Sequence, residues 1–199
     1  MKKQLLCICI ALGTMAFSQS TDEPKFGVKA GGNLSSITAS DTKSKVGFYA
    51  GAFVNIPITD AFNIQPEVVY SQQGAKIKGD YEMATYTVKN MKQNLSYINV
   101  PVMVQYNATP TFYVEAGPEF GFLVSAQAKG DINGSTFKAS TKDMLKTFNL
   151  GAGIGLGYKF TGNLGVNVRY IAGLTKIVKN EFGDSSKNTN FQLGLNYYF

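Results

Sequence analysis

Histidine and tryptophan are absent from this 199-residue sequence, arginine occurs once, at Arg169, and both cysteines, Cys7 and Cys9, lie within the first ten residues. Without histidine there is no Ser-His-Asp triad, no Cys-His dyad and no imidazole-ligated metal site. Beyond the first twenty residues, no apolar run approaches the ~20 residues that a membrane-spanning helix requires. Acidic residues are also scarce, 13 against 19 basic ones. A basic balance can signal nucleic acid, yet the lysines do not gather on a helix and no nucleic-acid motif is present. Neither an enzyme nor a cofactor nor a nucleic-acid partner is expected.

What is present begins with MKKQLLCICIALGTMAFSQS. Lys2 and Lys3 precede an apolar stretch from Leu5 to Phe17, and small residues follow at Ala16, Ser18 and Ser20. This is the pattern of a secretory signal peptide, residues 1–20, with cleavage after Ser18 or Ser20. Removal takes both thiols with it, which leaves no disulfide and no thiolate metal site. The remaining residues, 21–199, suit a single domain.

That domain reads as a series of strands. Apolar residues recur at every second position in eight stretches, among them Phe26-Val28-Ala30, Val46-Phe48-Ala50-Ala52-Val54-Ile56, Ile98-Val100-Val102-Val104-Tyr106 and Phe191-Leu193-Leu195-Tyr197-Phe199. A period of two belongs to β-structure. Each stretch has roughly the 9–11 residues with which a tilted strand crosses a bilayer. The connections alternate in length. Short ones fall near Pro57–Ala61, Asn107–Thr111 and Thr161–Asn163; long ones are expected at Ser35–Lys45, Gly74–Asn94, Gly130–Lys146 and Ile177–Thr189. Tight turns at one end and long loops at the other are the habit of outer-membrane barrels.

Alternation alone also suits a soluble, lipocalin-like barrel with its apolar face turned inward. The second face separates the two. In FNLGAGIGLGYKF, residues Phe148 to Phe160, glycine takes every other position from Gly151 to Gly157, with spacing that fails the G-x-G-x-x-G phosphate pattern. Across the eight stretches this second face is mainly Gly, Asn and Tyr, with isolated charges. Such a mixture suits a crowded lumen, in which glycines leave room for a neighbour's larger group. The sequence predicts an all-β, eight-stranded antiparallel up-and-down transmembrane β-barrel, sealed because unpaired backbone groups are costly in hydrocarbon.

Six charged residues fall on the inward face: Lys29, Glu67, Glu115, Glu119, Lys159 and Arg169. Ion pairing within a narrow interior is the plain expectation; a gated ion path or a proton-linked switch is the functional alternative. Glu115 and Glu119, four apart on one strand, stand ~13 Å apart, too far for a glycosidase carboxylate pair. The long loops carry many lysines, including Lys43, Lys45, Lys76, Lys89, Lys92, Lys138, Lys142 and Lys146. These form a solvated rim or a contact surface for anionic headgroups or a surface partner.

The segments GVKAGGNLS, GFYAGAFVNIPITDAFNIQPEVVYSQQGAK, LSYINVPVMVQY and the final LGLNYYF resemble the small outer-membrane β-barrel proteins of Bacteroidota, grouped as PorT-like or "porin family" barrel domains. The resemblance implies a location in the cell outer membrane, in contact with outer-membrane lipid including lipopolysaccharide. It also implies that Phe191, Leu193, Leu195, Tyr197 and Phe199 form the C-terminal signal read by the barrel assembly machinery during biogenesis. A structural or surface-interaction role is expected. The alternatives are a narrow ion or small-solute channel, or a component of a protein secretion or surface assembly.

Overall fold

The computed structural model describes residues 23–38, 42–77, 79, 81–83, 86–132, 134–179 and 186–199. The expected signal peptide, residues 1–20, lies outside the described residues. Ten strands follow one another: β1 (Lys25–Ile37), β2 (Thr42–Pro57), β3 (Phe62–Ile77), β4 (Tyr81–Met83), β5 (Tyr86–Asn107), β6 (Phe112–Ile132), β7 (Ser135–Ser140), β8 (Phe148–Lys159), β9 (Leu164–Gly173) and β10 (Asn188–Tyr198). Eight of them close into a ring in the order β1, β2, β3, β5, β6, β8, β9, β10, every pair antiparallel. The seam is a full ladder from Gly27 opposite Tyr198 to Ile37 opposite Asn188. No edge is left in the hydrocarbon, where each unpaired backbone group would cost several kcal/mol.

The three tight turns share one device. Thr59, Thr109 and Thr161 each accept, on the side-chain oxygen, the backbone N–H three residues on: Phe62 at 3.1 Å, Phe112 at 2.9 Å and Leu164 at 3.0 Å. A hydroxyl that bonds its own backbone is what makes threonine a turn residue.

The facing is apolar side out. Phe26, Val46, Ile154 and Leu195 are 63, 73, 63 and 55 % exposed, whereas Arg169, Glu67, Gln65 and Gln105 are fully buried. A water-soluble protein rarely exposes a contiguous apolar band of this extent, so the lipocalin-like arrangement is excluded. Aromatic residues border the band. Phe62–Tyr106, Tyr158–Phe160 and Tyr197–Phe199 make tilted or edge-to-face ring contacts at the tight-turn end, and Phe48–Tyr70 and Phe122–Phe148 make tilted ones at the other.

Strand length departs from expectation. β5 and β6 run 22 and 21 residues rather than 9–11, so much of the expected long connections at Gly74–Asn94 and Gly130–Lys146 is β-structure. Likewise, β1 and β2 take up most of Ser35–Lys45. At ~3.3 Å per residue β5 is about 70 Å long, well over twice the ~30 Å hydrocarbon thickness. The barrel wall from β2 to β6 therefore continues as a ribbon beyond the membrane, widened by β4 against β5 and β7 against β6. The β6–β7 hairpin turns at Gly134, whose φ of 82° lies in the left-handed region that glycine tolerates.

Candidate functional site

The lumen is the natural place to look for function, and its contents are layered. Lys29 from β1, Glu67 from β3, Glu115 from β6 and Arg169 from β9 meet in one buried network. The Arg169 Nη1 and Nη2 donate to Glu67 Oε2 and Oε1 at 3.0 and 2.8 Å, and its Nε donates to Glu115 Oε1 at 2.8 Å. The Lys29 Nζ donates to both Glu67 oxygens, at 3.1 and 3.0 Å. Two cations balance two carboxylates, which is the arrangement that tolerates burial. The guanidinium uses its fork on Glu67 while its Nε reaches Glu115, a division that lysine cannot make.

Two of the six inward charges stay outside this network. Glu119 accepts a hydrogen bond from Asn99 Nδ2 at 3.0 Å and, among the described residues, has no cationic partner. Its position four residues along β6 from Glu115 carries it toward the long-loop end, out of reach of the Arg169 fork. Lys159 is the last residue of β8, at the tight-turn end, and its Nζ lies 5.8 and 5.7 Å from the ring centres of Tyr113 and Tyr198. There it lines a polar cavity of about 390 Å³ with Lys25, Asn55, Asn63 and Asn107.

Between that cavity and the charges lies an amide layer. Asn107 donates to Asn63, Asn63 to Asn55, and Asn55 to both Gln65 and Gln105. Gln65 and Gln105 then donate to Glu67 and Glu115 at 2.8 and 3.0 Å. Charge reasoning does not pick out these amides, although their inward phase in the alternation marks them.

Toward the long-loop end, Asn33 donates to Ser71, and Asn188 to Gln73. Level with them an apolar cluster of Leu95, Tyr97, Leu123, Ala126, Leu145 and Ile177 fills the lumen, Leu95 standing opposite Gln73 and Tyr97 opposite Ser71. Leu145 and Ile177 come from two connections that fold back over the opening. They are tied together by a bridge between Leu145 and Val178 and by the Lys146 N–H donating to the Ile177 carbonyl at 2.8 Å.

Glycine spacing follows from this filling. A Cβ at Gly157 would strike the Tyr113 ring, and one at Gly194 would strike the Tyr49 hydroxyl. No cluster of three His, Cys, Asp or Glu suited to a metal occurs among the described residues. Phe191, Leu193, Leu195, Tyr197 and Phe199 all lie on the exposed, lipid-facing side of β10 or just beyond it.

Residues 17–179 match the outer membrane protein beta-barrel domain family, and the chain belongs to it. No curated protein matches. Among solved structures, the neisserial surface protein A is similar with a TM-score of 0.57 and 17 % identity, over 89 % of this chain and 100 % of that one. Ail, the attachment invasion locus protein of Yersinia pestis, is similar with a TM-score of 0.52 and 15 % identity, over the same shares. At such identities the likeness is one of fold. The family match ends before β10, which closes the ring.

Proposed function

We propose, from membership of this family, that the protein is a closed outer-membrane barrel whose role is structural or interactive at the cell surface rather than conductive. The observation that carries this reading is the Arg169 bridge. One side chain from β9 binds carboxylates from β3 and β6, so the charge layer spans the lumen from wall to wall. The apolar cluster adds a second closure at the long-loop end, which we take as the outer side. An eight-stranded barrel is only wide enough for side chains to fill it.

The rival reading is a narrow ion path, and the polar lining from Lys159 to Asn188 favours it. Planar-bilayer recording on purified protein tests the choice. Silent membranes across a range of voltages are expected, and steady steps would establish the path.

The remaining parts of the proposal rest on sequence. Residues 1–20 act as a cleaved signal peptide. The assembly machinery reads the Phe191–Phe199 alternation, and lipopolysaccharide surrounds the apolar band. Grouping with the PorT-like barrels of Bacteroidota, and with it a place in a secretion or surface assembly, is supported by the quoted segments. Co-purification from detergent-solubilised envelopes tests that place. No enzymatic role is proposed.

A further inference from the structure

We propose that the outer face of the projecting ribbon binds a linear acidic polysaccharide through five lysines that stand directly opposite one another on five consecutive strands. This rests on the surface-interaction reading and names the partner class. Lys43 of β2 faces Lys76 of β3. Lys76 faces Lys92 of β5, Lys92 faces Lys129 of β6, and Lys129 faces Lys138 of β7. Residues paired in this way share one face of the sheet.

Strand alternation sets that face opposite the sealed mouth. Lys76 follows Ala75, Lys92 lies three residues from Leu95, and Lys129 lies three from Ala126, all three apolar residues being buried. Lys43, Lys76, Lys92 and Lys138 are exposed and Lys129 is half-buried. Among the described residues none of the five has an ion-pair partner. Asp131 is a carboxylate of the same ribbon on which the charge of Lys92 acts. It accepts hydrogen bonds from Asn90 at 3.1 Å and Thr136 at 2.8 Å, and in the ladder it stands opposite Lys89. The charges of Lys129, Lys76 and Lys92 also act on the buried Lys45, two residues along β2 from Lys43.

Directly opposed like charges destabilise a sheet, and here four successive cross-strand pairs are all cationic. A ligand with anionic groups in line removes that repulsion. Adjacent strands lie ~4.8 Å apart, so five cations span about 19 Å.

The rows beneath select the polymer. Gly74, Asn94, Gln127 and Ser140 form the next row on the same face, followed by Gln72, Ser96 and Ser125. Amides and hydroxyls there suit sugar hydroxyls, and neither row offers an aromatic ring for stacking a base. Height argues for a polymer over a lipid phosphate. On β2 Lys43 lies only three residues from the exposed Val46, but on β3 and β5 the row stands six residues from the Tyr70–Ile98 pair. That is ~20 Å along the strand, or ~15 Å along the axis at the usual tilt. Headgroups occupy only ~5–8 Å beyond the hydrocarbon.

The test measures binding of the full-length protein in detergent to heparin and to polygalacturonate, with neutral dextran as control. The Lys76→Gln/Lys92→Gln/Lys129→Gln variant is expected to weaken binding by about tenfold or more, and Lys142→Gln/Lys146→Gln/Lys179→Gln, which removes equal charge off the row, by about twofold or less. The row variant keeps the heat-modifiable electrophoretic shift of the folded barrel and resists urea at least as well as the parent, since it relieves repulsion. Failure of the parent to bind either polymer overturns the proposal, as do equal losses in the two variants. Row-dependent binding of oligothymidylate or lipid A vesicles as tight as that of the acidic polysaccharides overturns it too. Bilayer recording keeps the failures apart: loss of polymer binding with silent membranes leaves the closed barrel standing, whereas a steady current overturns closure and leaves the row.

Discussion

The Arg169 Nε donates to Glu115 Oε1 at 2.8 Å across an intervening strand, because the residue between them in the ladder is Gly155. Glu115 stands opposite Gly155 on β8, and Gly155 opposite Arg169 on β9. A Cβ placed on Gly155 would lie 2.9 Å from the bonded carboxylate oxygen and 2.6 Å from the Val168 carbonyl. The missing side chain and the ion pair are thus one feature of the sequence. Of the alternating glycines of β8, Gly155 belongs to the packing of the charge layer and Gly157 to that of the Tyr113 ring.

Gly155→Val is therefore expected to cost about 3 kcal/mol or more, combining overpacking with an unpaired buried charge. Gly162→Val in the last tight turn, where a Cβ meets nothing within 4 Å, should fall within about 0.5 kcal/mol of the parent. Urea unfolding in lipid vesicles, followed by far-ultraviolet circular dichroism because tryptophan is absent, measures both.

Arg169→Met removes one partner of a buried network and leaves two carboxylates facing Lys29 alone. A loss of about 3–5 kcal/mol is expected. Adding Glu115→Gln restores charge balance with Lys29 and Glu67, so the double variant should be more stable than Arg169→Met by about 1–3 kcal/mol. Strict additivity of the two substitutions in the same unfolding experiment would show that the four charges do not act as a unit.

How much of this could be read in advance depended on how locally each feature is written. Period-two alternation is local, so it revealed the eight barrel strands, the closure and the inward phase of Lys29, Glu67, Glu115 and Arg169. The ribbon was hidden because Lys, Ser, Thr and Asn in β5 and β6 beyond the membrane carry no apolar rhythm. The lysine row was hidden for a further reason: its register depends on four pairings, with irregularities after Ser44, between Lys89 and Lys92, and after Ser96, and no single segment contains that information. Leu145 and Ile177 were isolated apolar residues in polar connections. Only the closed ring supplies the cluster that they cover.

Lipid facing has its own test. Ile154 lies midway along β8, between Phe148 and Phe160, and is 63 % exposed. Ile154→Arg near the midplane should cost about 2–4 kcal/mol. Gly157→Leu, one face over, meets the Tyr113 ring instead and should cost about 1–3 kcal/mol. Tyr113→Ala should relieve the second substitution and leave the first unchanged. Relief of both would show that the two faces are not separate environments.

The two closures of the lumen differ in kind, and their order can be measured. Leu145 and Ile177 sit on connections outside the barrel ladders, whereas the charge layer is anchored on four barrel strands, β1, β3, β6 and β9. Segments with few buried contacts open locally at low free energy. Leu145→Ser/Ile177→Ser should therefore speed proteolysis of these connections by at least about tenfold, while the unfolding of the barrel moves by about 1 kcal/mol or less. Such a variant should remain silent in planar bilayers, because the charge layer beneath is untouched. Adding Glu67→Ala and Arg169→Ala removes the bridge across the lumen and leaves one cation, Lys29, with one carboxylate, Glu115, so that net charge is kept; only then should current appear. If the loop variant alone conducts, the apolar cluster is what closes the barrel and the ion network merely lines it.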